Sequence, residues 1–163
     1  NIQFNLHLND FSSNIFGDSA MLSQALTNLL KNSAESINSS KNKIINNEKK
    51  IGIIDILTDL NNNFLEIKII DTGVGLDKKI TNFFEPYVTT KKNGTGLGLA
   101  IVRKIIEQHD GSLNVYNSNN LLHKTFDKGA IAVIKLPLIF NKDKFHNKNF
   151  LETNFQIKEE IKL

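Results

Sequence analysis

Residues 71–99 read DTGVGLDKKITNFFEPYVTTKKNGTGLGL, with a short glycine-rich run at each end. The first run, 71–75, follows an apolar stretch and places Asp71 at the end of a predicted strand. A carboxylate there can accept a hydrogen bond from an amine, although the run also fits an ordinary Asx turn. The second run, 94–99, leads into a predicted helix, where free N–H groups and the helix dipole favour phosphate. Neither run decides a function by itself.

Apolar periodicity around these runs predicts an alternation of strands and helices. Residues 19–39 and 97–109 repeat their apolar side chains at helical spacing. Asp18 or Ser19 is expected to cap the first helix, and Asp110 and Gly111 to close the second, with Gly111 as its C-terminal residue. The predicted strands cover residues 2–8, 51–60, 64–70, 113–116 and 130–138.

The first predicted helix carries a polar row besides its apolar stripe. Asn28, Asn32 and Glu35 follow one another at i, i+4 and i+7, so their side chains lie in line. Such a row is usually a solvated helix face. Side-chain oxygens without thiolates or imidazoles also suit Mg²⁺, which keeps several waters and takes few protein ligands beside phosphates. The row is therefore a candidate metal site.

The composition excludes several classes of function. The chain has 163 residues, 40% hydrophobic and 23% charged, which suits one globular domain. It has no cysteine, so disulfides and thiolate metal sites are excluded. Its net charge of +3 comes from scattered lysines without interleaved aromatic residues, which argues against nucleic acid as a partner. No apolar run reaches the roughly 18–20 residues of a membrane span. A start at Asn1 rather than Met suggests a segment of a longer protein.

The order of these features resembles the ATP-binding fold shared by histidine kinases, DNA gyrase, the Hsp90 chaperones and MutL. Residues 28–35 (NLLKNSAE) look like the N box of that family, 71–75 (DTGVG) like its G1 box and 94–99 (GTGLGL) like its G2 box. Residues 83–91 (FFEPYVTTK) resemble the F box of sensor kinases, in particular the NtrB and NtrY sensors of nitrogen regulation. The resemblance extends over residues 2–138.

The resemblance implies a two-layer α/β sandwich of the Bergerat type. Its mixed sheet would have about five strands, with about three helices on one face. Residues 1–139 would form the ATP-binding catalytic domain, and residues 140–163 a C-terminal tail that is a peripheral helix or disordered. ATP would lie between the helices and segment 76–93, which we call the lid.

The resemblance also implies roles for individual residues. Adenine would meet Asp71, whose following glycines let the backbone approach the base. Asn32 would bind Mg²⁺, while Thr90 and Lys91 of the lid would close over the phosphates, so these three residues are expected to be catalytic. Glu35 stands where many sensor kinases have Lys or Arg, so a water-mediated or structural role is expected there. The other expected ATP-binding residues are Asn28, Gly73, Gly75, Gly94, Thr95, Gly96, Leu97, Gly98 and Leu99.

The residue type at position 28 distinguishes the kinases from their ATP-hydrolysing relatives. Gyrase, MutL and Hsp90 carry a glutamate one helical turn before the metal-binding asparagine, whereas an amide cannot act as a general base. The phosphoryl group must then pass to a nucleophile supplied from elsewhere. The four histidines lack the sequence context of a phosphoacceptor; they are His7, His109, His123 and His146.

The expected partners follow from the same resemblance. They are the protein's own dimerisation and phosphoacceptor domain, outside this sequence, and the receiver domain of a response regulator. The whole kinase is expected to be a homodimer anchored in the bacterial inner membrane, with this domain in the cytoplasm.

Three alternatives stay open. An ATPase of the gyrase or MutL kind is disfavoured by Asn28. A serine kinase acting on an anti-sigma antagonist would share the fold but need no dimerisation helices, so the complete gene would separate it from a sensor kinase. A domain used only for docking is disfavoured because all four boxes are intact.

Overall fold

The computed structural model describes residues 1–9, 14–41, 51–61, 63–89, 91, 94–118 and 128–139, with the backbone alone for 40 and 41. Thr90 and the tail 140–163, for which predictions were made, lie outside these residues. The elements are the strands β1 (Ile2–Leu8), β2 (Gly52–Asn61), β3 (Phe64–Asp71), β4 (Ser112–Asn117) and β5 (Ala130–Pro137), and the helices α1 (Ser19–Lys41) and α2 (Gly98–Gln108). They differ from the predicted elements only at their ends.

All five strands join one mixed sheet in the order β1-β2-β3-β5-β4. β1 is parallel to β2, and α1 supplies the crossover between them, whereas the other neighbouring strands are antiparallel. Both helices pack on the same face of the sheet. The two-layer α/β sandwich is therefore confirmed. Of the three or so helices expected, the described residues contain two.

The hydrophobic core lies between the helices and that face of the sheet. α1 contributes a stripe at helical spacing, and β2, β3 and β5 contribute alternate residues. Burying these side chains is the main favourable term in folding. The core residues of the helices are Leu22, Ala25, Leu29, Ile37, Val102, Ile105 and Ile106, and those of the strands are Ile54, Ile56, Leu65, Ile67, Ile69, Leu113, Ile134 and Leu136.

The start of α1 and the end of α2 meet at His109. Oδ1 of Asp18 accepts a hydrogen bond from the Met21 N–H at 3.0 Å, so Asp18 caps α1. The Asp18 N–H in turn donates to Nε2 of His109 at 2.9 Å, and Nδ1 lies 2.7 Å from the carbonyl oxygen of Ile105. Since a carbonyl only accepts, Nδ1 carries the hydrogen and Nε2 is left to accept. A neutral imidazole thus joins the two helices.

Asp110 and Gly111 close α2: the Gly111 N–H donates to the Ile106 carbonyl oxygen at 2.9 Å, and Asp110 takes the left-handed conformation. Asp110 has a φ of 55°, which aspartate tolerates better than most residues. Glycine is needed at 111 because a Cβ there would lie 2.5 Å from the carbonyl oxygen of Lys135. The chain therefore passes directly against β5 at this point.

Replacing His109 by phenylalanine is expected to lower the free energy of unfolding by about 1–3 kcal/mol. An aromatic ring is kept, but the partly buried Asp18 N–H loses its acceptor. Urea unfolding measures the effect. His7→Phe is the matched control, since the His7 side chain is 59% exposed. Equal stability of His109→Phe and the native protein would show that the bridge between the helices contributes nothing.

Candidate functional site

Asp71 ends β3 near the middle of the sheet, between Ile54 of β2 and Ala130 of β5. The residue is only 5% exposed and lies beneath α1. Its Oδ1 accepts hydrogen bonds from the N–H groups of Gly73 at 2.8 Å and Ala130 at 3.4 Å. The hydroxyl of Ser33, on α1, also donates to the carboxylate. The carboxylate is thus fixed from both sides, by the strands and by the helix.

Burial raises the pKa of Asp71 above the ordinary value for a carboxyl group. The hydrogen bonds from Gly73, Ser33 and Ala130 and the positive charge of Lys91 oppose this shift without cancelling it. Because the folded protein holds the proton more tightly than the unfolded chain does, the ionised group costs stability above its raised pKa. That cost is relieved as the pH falls towards the pKa of the unfolded chain. A buried carboxylate kept at such a cost is a feature of functional sites.

Gly73 lets the loop after Asp71 pack directly on α1. A Cβ at this position would lie 2.7 Å from the backbone carbonyl carbon of Ser36. Oγ of Ser36 also accepts a hydrogen bond from the Val74 N–H at 3.1 Å. Contact with the helix therefore accounts for this glycine, and the approach of adenine to it stays a prediction.

Gly75 is required by its backbone conformation and by its neighbour on β4. Its φ is 75°, where other residues are strained. A Cβ would lie 2.7 Å from Oδ1 of Asn117, which accepts a hydrogen bond from the Leu76 N–H at 2.7 Å. The loop is thus attached to α1 at one end and to β4 at the other.

The polar row of α1 faces the lid and the start of α2. Asn28, Asn32 and Glu35 are all half-buried. The Lys91 ammonium donates to Oδ1 of Asn32 at 3.1 Å and to the Glu35 carboxylate. A Cβ on Gly98 would lie 3.5 Å from Nδ2 of Asn32, so α2 begins beside this side chain. Three of the predicted site residues are therefore in direct contact, and a fourth adjoins them.

The glycine loop, residues 94–98, packs against the lid. Gly96 has a φ of 68°, and its carbonyl oxygen accepts a hydrogen bond from the Tyr87 N–H at 3.0 Å. A Cβ on Gly96 would lie 2.5 Å from the carbonyl carbon of Tyr87, so the two backbones are in contact. Tyr87 itself has a φ of 68° and is 78% exposed. The second glycine of the motif therefore joins the lid to the start of α2.

The start of α2 leaves backbone N–H groups without a capping side chain. Leu97 is the N-cap residue and makes no side-chain cap hydrogen bond. The Leu97 N–H lies 3.4 Å from Oγ1 of Thr95, which is exposed. The side chain of Leu99 packs against the core, so this residue could contact a ligand only through its backbone. A helix N-terminus of this kind suits a phosphate group.

The described part of the lid is held at its middle and near its C-terminal end. Phe84 packs against the core, and the guanidinium of Arg103 lies 5.1 Å from the centre of its ring. Near the C-terminal end, the Gly94 N–H donates to the Lys91 carbonyl oxygen at 3.1 Å. The expected role of Thr90 stays a prediction, because this residue is outside the described part of the chain.

Sequence reasoning missed three polar side chains that build the site. Ser33 reaches Asp71, Ser36 holds the loop after it, and Asn117 holds that loop from β4. The role of Ser33 could have been predicted, because a serine within an otherwise apolar helical stripe needs a buried polar partner. The role of Asn117 could not have been predicted from the sequence, since it depends on the order of the strands.

The donor atoms around Asn32 fit Mg²⁺ bound together with phosphates. Within the described ranges, no group of three or more His, Cys, Asp or Glu could hold a metal ion. Mg²⁺ does not require such a cage, because it takes one or two protein ligands and keeps waters and phosphate oxygens. Oδ1 of Asn32 already accepts a cationic group, the Lys91 ammonium, at 3.1 Å. This side-chain oxygen therefore already faces a positive charge, as the oxygen of a metal ligand must.

The fold and the arrangement of these motifs define an ATP-binding domain. Residues 17–139 match the family described as "Histidine kinase-, DNA gyrase B-, and HSP90-like ATPase", and the chain belongs to this family. It is 40% identical over 124 residues to sporulation kinase B of Bacillus subtilis, covering 76% of this chain and 25% of that protein. It is 44% identical over 99 residues to the nitrogen regulation protein NtrY of Azorhizobium caulinodans, covering 60% and 12%. The resemblance to NtrY is thereby confirmed.

A solved structure shares the fold. The mycobacterial sensor histidine kinase MprB superposes with a TM-score of 0.67 at 24% identity, covering 84% of each chain. The chain spans a quarter or less of the length of the two curated relatives named above. No helix in the described ranges combines the length and the apolar character needed to cross a membrane.

Proposed function

We propose that this chain is the ATP-binding catalytic domain, residues 1–139, of a sensor histidine kinase. It binds Mg·ATP and passes the γ-phosphoryl group to a histidine on a separate dimerisation domain. One observation supports the proposal most strongly: two consecutive residues of α1, Asn32 and Ser33, contact two different parts of the site. Ser33 holds the Asp71 carboxylate, while Asn32 adjoins Gly98 and contacts Lys91. A base acceptor, a metal ligand and a phosphate loop thus lie around one helix.

Each part has a distinct task. The Asp71 carboxylate accepts a hydrogen bond from the exocyclic amine of adenine. The N–H groups at the start of α2 hold the phosphates, and Lys91 contributes positive charge from the lid. Asn32 holds Mg²⁺, which when bound neutralises charge on the phosphate oxygens. Preorganised donors of this kind stabilise a phosphoryl group in transfer.

Kinase activity is favoured over hydrolysis by the residues around Asn32. Asn28, one turn earlier in the same row, offers no general base for activating water.

The two histidines in the described residues are also unsuitable as phosphoacceptors. His109 is buried at the end of α2 opposite the glycine loop, and His7 lies on the sheet face away from the helices. His123 and His146 lack the sequence context of a phosphoacceptor, so the acceptor histidine is proposed to come from another part of the kinase.

The surrounding protein is proposed by analogy with the relatives. It supplies dimerisation helices that carry the acceptor histidine, and an aspartate of a response regulator receives the phosphoryl group next. The whole kinase is a homodimer anchored in the inner membrane, with this domain in the cytoplasm. Similarity to NtrY and to sporulation kinase B supports this proposal.

Replacing Asn32 by alanine is expected to weaken binding of Mg·ATP on the order of 10- to 100-fold, because a charge-bearing contact is lost. Binding of ATP without Mg²⁺ should change far less. Calorimetry with and without Mg²⁺ separates the two. Asn38→Ala is the matched control, since Asn38 is exposed on the same helix. Unchanged Mg·ATP affinity in a folded Asn32→Ala protein would remove Asn32 from the site.

A further inference from the structure

Lys91 attaches the lid to α1 through two side chains at once. Its ammonium donates to Oδ1 of Asn32 at 3.1 Å and to the carboxylate of Glu35, one helical turn further along. The lysine and glutamate side chains are 39% and 42% exposed, so the ion pair is accessible to solvent. A partly exposed pair of this kind is weak enough to open and close readily.

The backbone of Lys91 is also tied to the rest of the site. Its N–H donates to Oγ1 of Thr89 at 3.1 Å, and its carbonyl oxygen accepts from the Gly94 N–H at 3.1 Å. The same residue therefore contacts α1 through its side chain and Thr89 and Gly94 through its backbone. Releasing the ammonium from Glu35 would loosen the lid at this residue.

The Asn32 oxygen contacted by Lys91 is the same oxygen that the proposed function assigns to Mg²⁺. Magnesium binds oxygen ligands at about 2.1 Å and accepts little distortion of its coordination shell. An ammonium group bound to the same oxygen would stand next to a divalent cation, and like charges at such short range repel. The two cations therefore exclude each other at Asn32.

We propose that Glu35 and Lys91 form a latch that holds the lid on α1 and must open before Asn32 can bind Mg²⁺. The inference rests on the proposed function, since it takes Mg·ATP as the ligand. Glu35 is a positioning residue: its carboxylate acts on the nucleotide through Lys91. When the latch opens, the ammonium is released to the phosphates that arrive with the metal.

The first arm of the test needs no nucleotide. Chymotrypsin cleaves after Tyr87, which is 78% exposed and hydrogen-bonded to the glycine loop. Without nucleotide, Glu35→Gln and Lys91→Met should each be cleaved there about two- to fivefold faster than the native chain, the effect of losing one exposed ion pair. Lys135→Met is the control, because it breaks a similarly exposed lysine pair with Glu66 on the sheet, away from the lid, and should leave the cleavage rate unchanged.

The second arm measures affinity for Mg·ATP by calorimetry. Glu35→Gln should bind about two- to fivefold more tightly, because the latch no longer competes with the metal. The same substitution in a Lys91→Met protein should have no effect, because the latch is already absent. If Glu35 acted only by repelling phosphate, Glu35→Gln would improve binding equally in the native and the Lys91→Met backgrounds. That result would overturn the proposal.

The two arms keep this inference separate from the proposed function. Equal cleavage of Glu35→Gln, Lys91→Met and the native chain would overturn the latch, whatever the protein binds. Failure of the native chain to bind Mg·ATP would instead overturn the proposed function. Faster cleavage of both latch variants, together with an effect of Glu35→Gln that requires Lys91, is the result we expect.

Discussion

Replacing Asp71 by asparagine is expected to lower the affinity for ATP by about 10- to 100-fold, the effect of losing a hydrogen bond to a charged group. The substituted amide keeps one oxygen, which can still accept the N–H groups of Gly73 and Ala130. The other carboxylate oxygen becomes an amino group. That amino group cannot accept from the amine of adenine, so two donors would face each other at a buried position.

The choice of nucleotide makes this prediction specific. GTP presents a carbonyl oxygen where ATP presents its amine, so the native chain should prefer ATP by on the order of tenfold or more. Asp71→Asn should narrow or reverse that preference, because its amino group can donate to the guanine oxygen. Asp77→Asn is the control, as Asp77 is exposed in the lid. Equal native affinities for ATP and GTP, or unchanged ATP affinity in folded Asp71→Asn, would rule out the contact.

The elements of the fold could be predicted because their apolar periods are strong. Leu22, Leu29 and Ile37 repeat at helical spacing, and Leu65, Ile67 and Ile69 alternate along β3, so each set has one buried face. The ends of the helices and strands were predicted less accurately than their middles. Asp110 takes the left-handed conformation after α2, whereas Gly111 permits contact with β5. Such a contact depends on tertiary structure and leaves no local signal.

The site could be predicted only as a set of motifs. The order of the N, G1 and G2 boxes places Asn32, Asp71 and Gly96 in one family pattern. The contacts between them arise because α1 crosses over the end of β3, which brings Ser33 to Asp71. Glu35 illustrates the limit. A water-mediated or structural role was expected for it, and nothing in the sequence specified Lys91 as its ion-pair partner.

The isolated chain, incubated with radiolabelled Mg·ATP, is expected to acquire no stable label and to release phosphate only slowly. His109 accepts a hydrogen bond from the Asp18 N–H through Nε2, and its Nδ1–H points to the Ile105 carbonyl, so neither nitrogen is available as a nucleophile. Asn28 supplies no general base for water. The missing component is then the acceptor histidine rather than the nucleotide, and this chain should hold ATP intact.

Mixing the chain with a separate fragment that carries the dimerisation helices of the whole kinase tests the central proposal most directly. The measurement is the radioactivity on each polypeptide after separation. We expect label on the fragment only when the chain and Mg·ATP are both present, much less label at limiting ATP when the chain carries Asp71→Asn, and none when the fragment's histidine is replaced by glutamine. Strong labelling of the chain by itself, or rapid ATP turnover that is lost on Asn28→Ala, would contradict the proposal and indicate a self-sufficient enzyme.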